Sequence, residues 1–231
     1  MMPDFLRIFI NLFFLNAPHY VLCSVPFFPD LRVKKRTVIS MILATAVVLS
    51  TCRTLLRLYL PDPYQFDTLV LVVFYLLYFI QYKFCFRVST AKLLYIFFVV
   101  QAYSSLLNVA GKFIELQFFP DRITQGSTLL YTLIVVLEMV ATYPFLFWFF
   151  KRIFSRVFHE YADKGFWKLC IAPALYFVII MIYTTVLPLN LVFSGWQMFM
   201  VFLLIVLTGL VTHYISLRIG VDMADKTRRQ A

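Results

Sequence analysis

The feature that most constrains this chain is the run Trp196–Leu217, WQMFMVFLLIVLTGLVTHYISL, which contains no Asp, Glu, Lys or Arg. A segment of about 20 apolar residues matches the roughly 30 Å hydrocarbon core of a bilayer. The run continues without a proline into Arg218-Ile219-Gly220 and a charged tail, VDMADKTRRQA. That tail is compatible with an amphipathic helix and is expected to begin a cytoplasmic rod. Similar apolar runs recur along the chain, and composition agrees with them: 62% hydrophobic, 14% charged, mean hydropathy +0.86. These values lie far outside the range of soluble domains. Only helices or closed barrels satisfy the backbone in lipid. The runs are about 20 residues long rather than alternating strands of about 10, so the expected fold is an all-α integral membrane bundle.

Seven spans are expected: about Leu6–Pro26, Thr37–Tyr59, Phe66–Tyr82, Ala91–Phe118, Ser127–Phe150, Phe166–Leu187 and Trp196–Leu217. The first lacks the basic flank and small-residue cleavage site of a signal peptide. The connectors set the orientation. Arg32, Lys34, Lys35 and Arg36 follow the first span, and Lys83, Arg87 and Lys92 follow the third. Lys151, Arg152, Arg156, Lys164 and Lys168 follow the fifth, and Arg218, Lys226, Arg228 and Arg229 follow the seventh. Sixteen of the 21 Lys and Arg thus fall on one side. Positive residues mark the cytoplasmic face, so the N-terminus is expected outside and the C-terminus inside. The net charge of +10 is read as topology, not as a nucleic-acid surface.

Charged and polar side chains within spans mark functional candidates, because lipid makes them expensive. Glu138 falls near the middle of the fifth span, in VVLEMVA. In the fourth span Gln101, Ser104, Ser105, Asn108, Lys112 and Glu115 recur at helical spacing and share one face. A rise of about 1.5 Å per residue puts Gln101 and Glu138 at similar depth, so a hydrogen-bonded layer between the two helices is expected. Gln101, Ser105, Asn108 and Glu138 are its core, as an interhelical contact or as a switch. Arg53 and Arg57, one turn apart near the outer end of the second span, either anchor at the interface or take an acidic, carboxylate-bearing ligand. Asp62 and Asp67 follow closely enough to pair with them.

Other chemistry is sparse. Cys23, Cys52, Cys85 and Cys170 show neither CxxC nor Cys/His metal spacing, and with only Cys52 near the outer face no structural disulfide is expected. His19 and Cys23 are four residues apart, a spacing open to a thiol dyad, but no activating carboxylate or amide is evident beside them. His159 and His213 are isolated. No P-loop, GxGxxG, HExxH or GxSxG occurs, so no catalytic residue, metal or cofactor is assigned. Six glycines and no internal repeat argue against a transporter. Aromatic residues make up 19%, many at span ends, as in interfacial belts.

The short aromatic-rich spans, the basic loop KRIFSRVFHEYADKGFWKLCIAP (Lys151–Pro173) and the final span leading to RIGVDMADKTRRQA carry a resemblance. In layout the chain resembles the N-terminal membrane sensor of Agr-type histidine kinases, the peptide-pheromone receptors of the GHKL class. The resemblance implies that the tail continues into a dimerisation and histidine-phosphotransfer segment and then an ATP-binding domain. The family's phospho-acceptor box and Asn- and Gly-rich ATP motifs are absent from these 231 residues, so no catalytic residue carries over.

The resulting expectation is a sensor of residues 1–217 followed by a helical linker of residues 218–231. It sits in the bacterial cytoplasmic membrane, binds an extracellular peptide or amphiphile near Arg53, Arg57 and the Phe119–Ser127 loop, and works as a homodimer. No nucleic acid is expected as a partner. A small transport or accessory subunit, or a Cys/His membrane peptidase, are the competing readings.

Overall fold

In the computed structural model, which describes residues 2–60, 63–119, 129–155, 158, 163–185 and 196–230, long helices follow one another with short connectors. They are α1 (Met2–Ser24), α2 (Lys35–Tyr59), α3 (Pro63–Cys85), α4 (Thr90–Phe118), α5 (Leu129–Phe149), α6 (Asp163–Thr185) and α7 (Trp196–Gln230). A 3₁₀ turn (Val25–Asp30) follows α1, and α5 runs on through a π-helical turn (Phe150–Phe154). No strand occurs among the described residues; a single antiparallel bridge joins Leu31 to Phe86. The segments Asp4–Asp30, Lys35–Tyr59, Thr90–Phe118 and Leu129–Phe154 are long and apolar enough to cross a bilayer. Leu69–Cys85, Phe166–Ile180 and Met200–Gly209 are shorter apolar stretches. The Pro120–Ser127 part of the expected ligand loop lies outside the described residues, as do Asp62, Arg122, Arg156 and His159.

The hub is α4. It packs most extensively on α6, then on α5 and α1, while α2 lies against α1 and α3. Its buried positions run the length of the helix, from Ala91 and Tyr95 through Val100 and Leu107 to Glu115 and Leu116. A helix buried on several faces needs neighbours on several sides, and α4 has them. The outward surfaces of α2, α3, α5 and α7 carry large exposed apolar side chains such as Val48, Leu69, Leu137 and Leu204. In water such a surface would aggregate; against acyl chains it is the expected lining.

The basic connectors gather at one end of the bundle, and a knot of rings closes that end. Tyr95, Phe154, Phe158 and Phe166 contact one another with centroids 5.0–6.1 Å apart, and Phe158 stacks on Phe27. Edge and offset pairs of this kind each add about 0.5–1.5 kcal/mol beyond area burial. The π turn widens α5 by one residue per turn and buries both Phe150 and Phe154 in the knot. Backbone bonds clamp the connectors together: Arg32 N–H donates to Cys85 O and Arg87 N–H to Asp30 O, each at 2.8 Å. Above them Tyr20 stacks on Tyr78 at 3.5 Å, and Tyr82 Oη donates to Tyr20 O at 2.6 Å. The Cys170 thiol donates to Ala91 O, tying α6 to α4.

Two glycines mark close helix approaches. A methyl group on Gly111 of α4 would come to 2.5 Å from Val135 Cγ2 of α5. One on Gly209 of α7 would enter the ring of Tyr176 of α6. Bare backbone at these points lets the neighbouring side chain lie flat on the helix.

Candidate functional site

Away from the aromatic knot, polar side chains enter the interior among small apolar clusters. The expected row on α4 is turned inward: Gln101, Ser104 and Glu115 are buried, and Ser105, Asn108 and Lys112 are half-buried. Lys112 Nζ donates to Glu115 Oε2 at 2.7 Å, one turn along the same helix. Glu115 has no exposed side-chain surface, so this is a desolvated pair. Lys112 also stands 6.0 Å from the ring centre of Tyr131.

Gln101 and Glu138 do not form the shared layer their sequence spacing suggested. Tyr75 Oη of α3 donates to Gln101 Oε1 at 3.2 Å. Tyr131 Oη of α5 donates to Asn108 Oδ1 at 3.0 Å. The row therefore divides between two neighbouring helices, its Gln101 end facing α3 and its Asn108 end facing α5. The register of α4 on α5 explains the miss. Gly111 meets Tyr131, Val135 and Glu138, and Tyr103 bonds Thr142. Glu138 is thus level with the Leu107–Gly111 turn, and Gln101 lies one to two turns, about 9 Å, further along. Glu138 Oε2 is buried 3.7 Å from where a Gly111 Cβ would stand, with no hydrogen-bond partner among the described residues.

Arg53 and Arg57 are half-buried on α2 and lie on the polar interior. Arg53 is within electrostatic reach of Tyr75, and Arg57 of Tyr131. The two cations, one turn apart, address the two tyrosines that tie α4 to α3 and to α5. Asp67 lies on α3, but its side chain is outside the described residues.

A second polar link joins α1 to α5. Tyr143 Oη and His19 Nδ1 are 2.8 Å apart, and Tyr103 packs edge-on against the His19 ring. Tyr103 Oη bonds Thr142 Oγ1, which donates to Glu138 O at 2.7 Å. His19 is therefore engaged by Tyr143 and not by Cys23, which is a buried free thiol. Cys85 and Cys170 are likewise free and buried, and Cys52 is free and half-buried. Among the described residues no three His, Cys, Asp or Glu side chains gather as a metal site.

Sequence reasoning missed Asn11, Tyr75, Tyr103, Tyr131, Thr142 and Tyr143. The lone Asn11 inside the apolar FINLFF run was a usable signal, because an amide in lipid needs partners. The tyrosines carried none, being indistinguishable by pattern from the aromatic residues at span ends. Compared with known proteins, the chain matches no family model, no curated protein and no solved structure.

Proposed function

We propose that this chain is the membrane sensor module of a signalling protein, with the layout of Agr-type receptor kinases. In this reading it crosses the bacterial cytoplasmic membrane seven times, N-terminus outside and C-terminus in the cytoplasm. It binds an extracellular peptide or other amphiphile, acts as a homodimer, and passes the signal to a kinase region. The basic connectors support the orientation, and the aromatic knot then lies at the cytoplasmic face.

The observation that carries the reading is α7, one unbroken helix of 35 residues from Trp196 to Gln230. At about 1.5 Å per residue it is roughly 50 Å long, well beyond the hydrocarbon thickness. A helix that leaves the bilayer without a break carries a shift or rotation made within it. Tyr176 seated on Gly209 couples α6 to α7, and α6 is the most extensive partner of α4. Signal entry is assigned to Arg53 and Arg57 beside the Tyr75–Gln101 and Tyr131–Asn108 links. A ligand carboxylate drawing on those cations would bias two packings of α4 against α3 and α5. Glu138, Ser105 and Asn108 belong to the part that moves.

Reading the encoding gene past the Ala231 codon tests this assignment. The expected result is a frame that continues into a heptad-patterned helix, a histidine box and Asn- and Gly-rich ATP motifs. A stop codon there would remove the kinase from the account.

A further inference from the structure

We infer that the seam between α1, α4 and α5 binds the ammonium group of an amphiphilic amine, with Glu138 and Asn11 as its acceptors. The inference deepens the sensor reading and rests on it only for the amphiphilic nature of the signal. Asn11 is 2% exposed, and its Oδ1 has no hydrogen-bond partner among the described residues. Glu138 Oε2 is in the same condition. The two belong to one level of one seam. His19 meets Tyr143, Leu15 packs against the cluster of Leu107, Tyr131, Val135 and Met139, and Asn11 stands one turn beyond Leu15 on the same row of α1. That places it opposite Val135, Glu138 and the bare backbone of Gly111.

A buried acceptor without a donor forfeits its hydration with nothing in return, and two at one level call for a shared donor. Both are oxygen acceptors, one of them a carboxylate, which selects a group that donates several hydrogen bonds and bears positive charge. The cation nearest in sequence to Gly111 is Lys112, and it is engaged by Glu115 at 2.7 Å. The walls suit an ammonium as well. Tyr131 lies 3.5 Å from the Gly111 Cβ position, and Tyr103 is within electrostatic reach of the Glu138 carboxyl. Aromatic faces attract cations, more so where water is excluded. Glu138 is half-buried, and Ala141, one turn along the same face of α5, is exposed, so the site borders the outward surface of α5. An amine with an alkyl or peptide tail enters from that surface.

The test is titration calorimetry on the whole chain in phosphatidylcholine nanodiscs, with decylamine, decanol and decanoate as probes. Empty nanodiscs of the same lipid supply the baseline for partitioning. The expected result is saturable decylamine binding to the unaltered chain, weakened about tenfold or more by Glu138→Gln. Asn11→Asp keeps the shape, adds acceptor charge and should tighten it. Equal decylamine heats with and without Glu138, or a saturable decanol signal of the same size, would overturn the inference. So would weaker amine binding in Asn11→Asp. The readout is binding alone, so its failure leaves the sensor reading to the gene-continuation test.

Discussion

The two ends of the α4 interior are held by different physics. At the basic end, rings from α1, α3, α4, α5 and α6 interlock, and three backbone or thiol bonds clamp the connectors. In the other half the contacts are single polar links and small apolar clusters. Dense apolar contact is collective and hard to undo piecemeal. A polar link has discrete alternatives, and one between two membrane helices is worth only about 0.6 kcal/mol on average. The bundle is thus densely packed at one end and held by fewer, separable contacts at the other.

The largest expected effect lies in the knot. Tyr78→Ala removes a fully buried ring that stacks on Tyr20 and donates to Ile42 O. It should cost about 3–5 kcal/mol, read as a lowered unfolding midpoint in nanodiscs. A loss below about 1 kcal/mol would erase the contrast between the halves.

Gly111→Val comes next. Its Cβ meets Val135 Cγ2, so overpacking of about 1–3 kcal/mol is expected. Val135→Ala in the same chain should recover much of that loss, because the two share one contact. Additive losses in the double variant would place the Gly111 strain elsewhere.

Tyr143→Phe should cost about 1–2 kcal/mol, since it strips His19 of its hydrogen-bond partner while His19 stays buried. His19→Leu in the Tyr143→Phe background should then be close to neutral. A further large loss would give His19 a second role.

Tyr75→Phe removes only the bond to Gln101 and should cost about 0.6 kcal/mol. Its larger effect is expected on signalling output in the full-length protein, through the link that Arg53 faces. Unchanged output would remove Gln101 from the moving part.

Helix positions were legible because charge placement and apolar run length act along the sequence. The expected spans Thr37–Tyr59 and Ala91–Phe118 fall within one to two residues of α2 and α4. Trp196 begins α7 as expected, but the helix runs on to Gln230, past the apolar boundary at Leu217. Partner choice was not legible. Spacing places Gln101, Asn108 and Lys112 on one face of α4, but which helix that face meets depends on the packing of all the others. Hence Gln101 meets Tyr75, Asn108 meets Tyr131, and Glu138 faces Gly111. The knot was hidden for the same reason: Phe166 at a span end reads as part of an interfacial belt, and no sequence pattern marks the π turn that buries Phe150 and Phe154.

The contrast between the two halves is tested most directly by electron–electron distance measurements in nanodiscs, on a Cys52→Ala background whose other thiols are buried. One spin-label pair sits at the basic end, Arg36→Cys with Lys168→Cys, and one at the opposite end, Tyr59→Cys with Leu129→Cys; all four positions are exposed. A narrow distance distribution is expected for the first pair and a broad or split one for the second. Equal widths, or a broader distribution at the aromatic knot, would contradict that contrast.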